Sequence, residues 1–188
     1  IFLRIACRSS EKPSFSEISG VWSGAAFEGW TQATLARAAR EAGVSPAVLA
    51  AAFPAGIADV LRAWSAESDR AMGAAMDAPA FKTLKIREKV AAAILSRLDA
   101  LRPHKEAARR AAATLALPIH GGLGAKLAWE TADRIWRGMN DRSTDFNFYS
   151  KRMILTGVWL STFTRWLSDE TEDETDTKAF LDARIENV

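Results

Sequence analysis

Helical spacing of the apolar residues is the feature that most constrains this chain. Periodicity of the helical kind dominates, and no β alternation of any length is present. Leu84–Leu101 shows it best: Ile86, Val90, Ile94, Leu98 and Leu101 line one face, and charges fill the other. Caps and breakers set the remaining elements. Ser14-Phe15-Ser16-Glu17 resembles a capping box ahead of a helix over Phe15–Ala26, which Gly20 and Gly24 weaken. Thr31 caps Gln32–Ala42, Gly43 closes it, and Ser45-Pro46 opens a helix to Phe53. Helices are also expected over Ala55–Met76, His104–Leu117, Gly122–Met139, Asp145–Leu167 and Thr177–Val188. Asp77–Phe81 and Pro118–Gly122 are breaks, and the acidic Ser168–Asp176 reads as a solvated connector. Asp145–Leu167 is apolar on nearly every face, so it is central in its bundle or shared between subunits.

These elements make an all-α chain, with residues 1–54 a helix-turn-helix region and 55–188 a helical bundle. At 188 residues and 48% hydrophobic, it can bury one sizeable core. A formal net charge of +2 neither demands nor excludes nucleic acid. Cys7 is the single cysteine, which rules out an internal disulfide and a thiolate zinc site. No run of about eighteen apolar residues exists, so a soluble chain that meets membranes only at its surface is expected.

Catalytic chemistry is scarce. His104 and His120 lack a metal-ligand spacing, and no Glu-x-x-His pair occurs. Gly122-Leu123-Gly124 begins like a dinucleotide fingerprint, but Leu127 fills the third glycine position and no strand precedes it. Glu130 and Asp133 read as ion pairs with Arg134 and Arg137. His120 reads as a partner for a freed helix-end carbonyl. No catalytic residue, metal or cofactor is expected.

Ala38-Ala39-Arg40-Glu41-Ala42-Gly43-Val44-Ser45-Pro46, followed by Phe53-Pro54, resembles the TetR-family helix-turn-helix. That resemblance implies a TetR-like bundle and, by default, a transcriptional regulator. The second helix argues against DNA reading. Base edges are read by Arg, Lys, Asn or Gln, yet Pro46–Phe53 carries no hydrogen-bonding side chain. Where a basic residue commonly follows, this chain has Ala55-Gly56-Ile57 and then Asp59. Only Arg37 and Arg40 could meet a phosphate. The motif is therefore read as degenerate, with no nucleic acid expected.

Ser143-Thr144-Asp145-Phe146-Asn147-Phe148-Tyr149-Ser150-Lys151-Arg152 resembles the signature of the lipid-binding family of ubiquinone (coenzyme Q) biosynthesis. Trp136–Asp141, Phe27–Thr31, Leu84–Arg87, Leu117-Pro118 and the end of the chain agree, so the resemblance runs over roughly Phe27–Val188. It implies a TetR-like homodimer with an apolar cavity for isoprenoid quinone intermediates. It also implies a non-catalytic role beside a ubiquinone-biosynthesis hydroxylase, with Asp145, Phe148 and Tyr149 on the docking surface. Phe148 stands where tryptophan is common. Family members often carry a further amphipathic helix that meets the membrane, and this sequence ends at Val188 before one. The implied location is cytoplasmic at the inner membrane in a bacterium, or the mitochondrial matrix side in a eukaryote.

Seven tryptophans and nine phenylalanines offer lining for such a cavity, and Trp64, Trp129, Trp136, Trp159 and Phe163 are the candidates. The cations Lys82, Lys85, Arg87 and Lys89, then Arg102, Lys105, Arg109 and Arg110, could meet anionic headgroups or simply be solvated. A transcriptional regulator and an enzyme acting on the quinone ring are the competing readings, in that order.

Overall fold

The computed structural model describes residues 20–120, 122–141, 144 and 146–186. The regular structure there is helical throughout: α1 (Gly20–Glu28), α2 (Gln32–Glu41), α3 (Pro46–Ala52), α4 (Ile57–Met76), α5 (Pro79–Thr83), α6 (Ile86–Leu101), α7 (Lys105–Leu115), α8 (Leu123–Gly138), α9 (Phe146–Ser168) and α10 (Thr175–Glu186). The all-α expectation holds. The capping box at Ser14–Glu17 lies outside the described residues.

Local signals account for the start of the fold. Thr31 Oγ1 accepts the Thr34 amide at 3.1 Å, and Ser45 Oγ accepts the Val48 amide at 3.3 Å. Between them Gly43 takes φ +73°, which a side chain would resist. Gly24 serves a different end. A Cβ there would sit 2.8 Å from side-chain atoms of Thr34 and Arg37, so its absence lets α1 lie close against α2. Trp30 Nε1 donates to the Ala107 carbonyl at 2.9 Å and Arg110 Nε to that of Ala26 at 2.7 Å, tying this region to α7.

In the bundle, α4 packs on α6 and α8, α8 on α9, and α10 on both α6 and α9. Val60, Leu61, Met72, Ile94, Leu98, Ile135 and Trp166 are fully buried there. No single helix among the described residues is long and apolar enough to cross a membrane.

Three expectations are corrected. The break at Asp77–Phe81 holds the start of α5: proline presets the first turn, and Phe81 anchors it in the core. Ile86, expected in the buried stripe of α6, is 66% exposed, because it borders an open recess and burial begins at Val90. The acidic connector is only partly solvated. Asp169 and Glu174 are buried and hold the corner between α9 and α10.

Asp169 accepts the amide and hydroxyl of Thr171 at 2.9 and 2.5 Å, and those of Thr177 at 2.7 and 2.5 Å. Burial opposes its ionisation, but these four bonds outweigh burial and hold the carboxyl well below the usual range. Glu174 behaves alike. Burial raises its pKa, while bonds from Arg102 (2.9 Å) and Trp166 Nε1 (2.6 Å) bring it below normal. Both folded values lie under the unfolded ones, so both groups stabilise the fold above the unfolded range. That contribution is lost as pH falls through the folded values. The unfolding midpoint should accordingly decline from about pH 4.5 downward. Asp169→Asn should cost on the order of 2 kcal/mol at neutral pH, and the gap to wild type should narrow in acid. Calorimetric scans across pH check both; a gap independent of pH would contradict the assignment.

Candidate functional site

A cavity of about 310 Å³ lies among α4, α6, α7, α8 and α9. It is at the small end for ligand pockets. Leu61 and Trp64 come from α4, Leu101 from α6, and Trp159, Leu160 and Phe163 from α9. Small residues create the space: Ala111 and Ala112 on α7, and Gly124, Ala125 and Ala128 on α8. Trp159 and Phe163 have ring centres 5.2 Å apart. One wall is polar. Arg97, 5% exposed, donates through Nε to Asp69 at 2.6 Å and through Nη2 to Ser65 Oγ at 2.9 Å. Its guanidinium carbon lies 4.3 Å from the centre of the Trp159 ring. Thr131 also donates to Asp69, at 3.0 Å.

Trp64, Trp159 and Phe163 therefore share a chamber. Trp136 instead lines a recess of about 300 Å³ with Ile86, Val90, Ile154, Val158 and Ile185. Trp129 sits beside Tyr149, with ring centres 6.5 Å apart. Sequence reasoning sought aromatics and passed over the alanines that make the room; their density on α7 was the available signal.

The signature segment opens α9. Asp145 lies outside the described residues. Tyr149 is 59% exposed, whereas Phe148 is half-buried beneath Arg152, whose guanidinium carbon is 3.5 Å from the ring centre. Phe146 and Met153, which were not singled out, are exposed along the same stretch as Tyr149 and extend an apolar surface.

The cations divide. Arg102 holds Glu174, Lys105 Nζ donates to the Asp169 carbonyl at 2.6 Å, Arg109 to that of Leu167 at 2.5 Å, and Arg110 to that of Ala26. The second half of the cationic run thus clamps the fold. Lys82, Lys85 and Arg87 are exposed around Ile86. Asp133 pairs with Arg137 at 2.6 Å as expected, but Glu130 meets Lys126 and Arg134 reaches toward Asp69, both at 3.9 Å. His120 lines a surface recess with Arg62 and Lys126. Among the described residues no group of three or more His, Cys, Asp or Glu could hold a metal.

The helix-turn-helix is present in shape. Yet α3 exposes Ala47, Val48, Ala50 and Ala51, and Arg37 is engaged by Glu28 and Glu41.

Bundle and helix-turn-helix together define a TetR-like fold. The crystal structure of the TetR transcriptional regulator from Nitrosomonas europaea superposes with a TM-score of 0.73, at 21% identity, covering 92% of this chain and 95% of that one. At that identity the likeness concerns the fold. The COQ9 family model matches residues 122–188, a shorter stretch than the expected Phe27–Val188. Ubiquinone biosynthesis protein COQ9, mitochondrial, from Rattus norvegicus is 35% identical over 96 residues, covering 51% of this chain and 31% of the rat protein. The Homo sapiens protein of that name is 32% identical over 96 residues, covering 51% of this chain and 30% of its own. The probable ubiquinone biosynthesis protein coq9, mitochondrial, from Dictyostelium discoideum is 30% identical over 105 residues, covering 56% and 34%. Through this segment the chain is similar to the COQ9 family. It spans about a third of the length of the curated relatives it matches.

Proposed function

We propose that this chain is a non-catalytic lipid-binding accessory protein of ubiquinone biosynthesis. It holds isoprenoid quinone intermediates and presents them to a hydroxylase. The apolar cavity among α4, α6, α7, α8 and α9 carries this reading, because its walls suit a hydrocarbon tail and offer no paired acid and base. Kinship with the COQ9 proteins, which are named for ubiquinone biosynthesis, supports the pathway, and their mitochondrial designation favours the mitochondrial option. An organic extract of the purified protein should yield prenylated lipid by mass spectrometry. A protein that stays lipid-free and does not take up added prenylquinone would remove the proposal.

Docking belongs to the apolar start of α9, at Tyr149 with Phe146 and Met153 beside it. Phe148 supports that face from beneath, and Asp145 completes the trio on family grounds. Tyr149→Ala should weaken hydroxylase association about tenfold while leaving the unfolding midpoint in place; unchanged affinity by calorimetry would contradict this. Pairing as a homodimer is part of the same reading. Exposed Lys82, Lys85 and Arg87 around Ile86 suit contact with an anionic membrane surface.

The fold also favours a second reading, a TetR-type regulator. Sequence-specific retention of labelled DNA as salt is raised would support it, whereas binding that vanishes with salt would not.

A further inference from the structure

We propose that the cavity recognises the polar end of its lipid through Arg97 and Ser65. An uncharged oxygen acceptor, of the ring-carbonyl type, docks against the wall between α4 and α6, and the tail runs toward α7 and α8. This rests on the cavity being a lipid site, and it adds an orientation and a head-group chemistry.

The argument is one of unspent donors. A guanidinium has five N–H groups. Arg97 spends Nε on Asp69 and one Nη2 hydrogen on Ser65. Nη1 donates to no protein acceptor among the described residues. Stacking on Trp159 holds the guanidinium plane in the cavity wall. Ser65 Oγ accepts from Arg97, which leaves its own hydrogen without a protein acceptor among the described residues. The other hydroxyls of the wall are occupied: Ser68 donates to the Trp64 carbonyl at 3.2 Å and Thr164 to that of Leu160 at 2.9 Å. These donors face the cavity and lose water when an apolar ligand fills it, so a ligand that fits this wall brings an acceptor.

Charge selects the kind of acceptor. Asp69, 4% exposed, already balances Arg97 at 2.6 Å. Arg134 approaches Asp69 at 3.9 Å but is not part of the cavity wall. A carboxylate entering here would be desolvated beside a pair that is already neutral, which is costly. A carbonyl oxygen meets the same donors without that penalty. Across the cavity, Ala111, Ala112, Gly124 and Ala128 present no polar side chain, which suits the tail.

The test uses two probes with one tail, geranyl-para-benzoquinone and geranylbenzene, titrated calorimetrically into the full chain. Wild type should prefer the quinone about tenfold. Ser65→Ala should weaken quinone binding about fivefold and leave the hydrocarbon unaffected. Arg97→Lys keeps a cation opposite Asp69 but loses the guanidinium fork, and should erase most of the preference. Should Arg97→Lys fail to fold, Ser65→Ala decides alone. Equal affinity of wild type for both probes would overturn head-group recognition and leave the lipid site standing. A third probe with the same tail, the geranylbenzoate anion, tests charge: tighter binding of it than of the quinone would overturn the uncharged acceptor. Binding of neither probe would overturn both the orientation and the lipid reading.

Discussion

Arg152→Ala should destabilise the fold by about 3 kcal/mol, the largest effect expected of any single substitution at the α8–α9 contact. The side chain is 1% exposed. It donates from Nε to Asp133 at 2.6 Å, from Nη1 to Asp141 at 3.2 Å, and to the Phe148 carbonyl at 3.1 Å. Truncation takes one cation from each of two carboxylates, one of them only 9% exposed, and removes the guanidinium that covers Phe148. The cost falls at the lower end for a broken buried pair because other cations stay in place: Lys151 at 3.0 Å from Asp141 and Arg137 at 2.6 Å from Asp133. Arg152→Lys should recover only part of the loss, since an ammonium cannot bridge both carboxylates and stack on the ring. Urea unfolding measures this. A loss under about 1 kcal/mol, the value of a solvated pair, would show that Arg152 is ornamental to the fold.

The second large effect concerns occupancy. Ala112→Leu with Ala128→Leu places two branched side chains into the cavity from α7 and α8. Prenylated lipid recovered from the purified variant should fall about tenfold, equivalent to about 1.4 kcal/mol of affinity. The unfolding midpoint should hold, since methyl groups that fill a void gain contacts rather than strain. Undiminished lipid in a variant that unfolds normally would place the ligand elsewhere, for instance on the exposed start of α9.

How much was legible in the sequence depended on the range of the signal. Thr31, Gly43 and Ser45 act within a few residues, so their helix boundaries could be read directly. Ile86 could not be placed, because periodicity gives the face of a helix but not where its neighbours end. The acidic run concealed Asp169 because charge suggests solvent. Its bonds come from Thr171 and Thr177, and only the folded corner brings both hydroxyls to one carboxylate. The cavity was half visible. Trp64, Trp159 and Phe163 were found as aromatics, whereas Ala111, Ala112 and Gly124, which leave the room, look like ordinary helix filler. The Arg97–Asp69 wall was invisible because 28 residues separate its partners in the chain.

An experimental structure of the protein loaded with a prenylated benzoquinone would bear most directly on the proposal that the bundle holds a lipid. Elongated density bounded by Trp64, Trp159 and Phe163 is the predicted result. Side chains closed over that space, with the probe bound only outside it, would contradict the account.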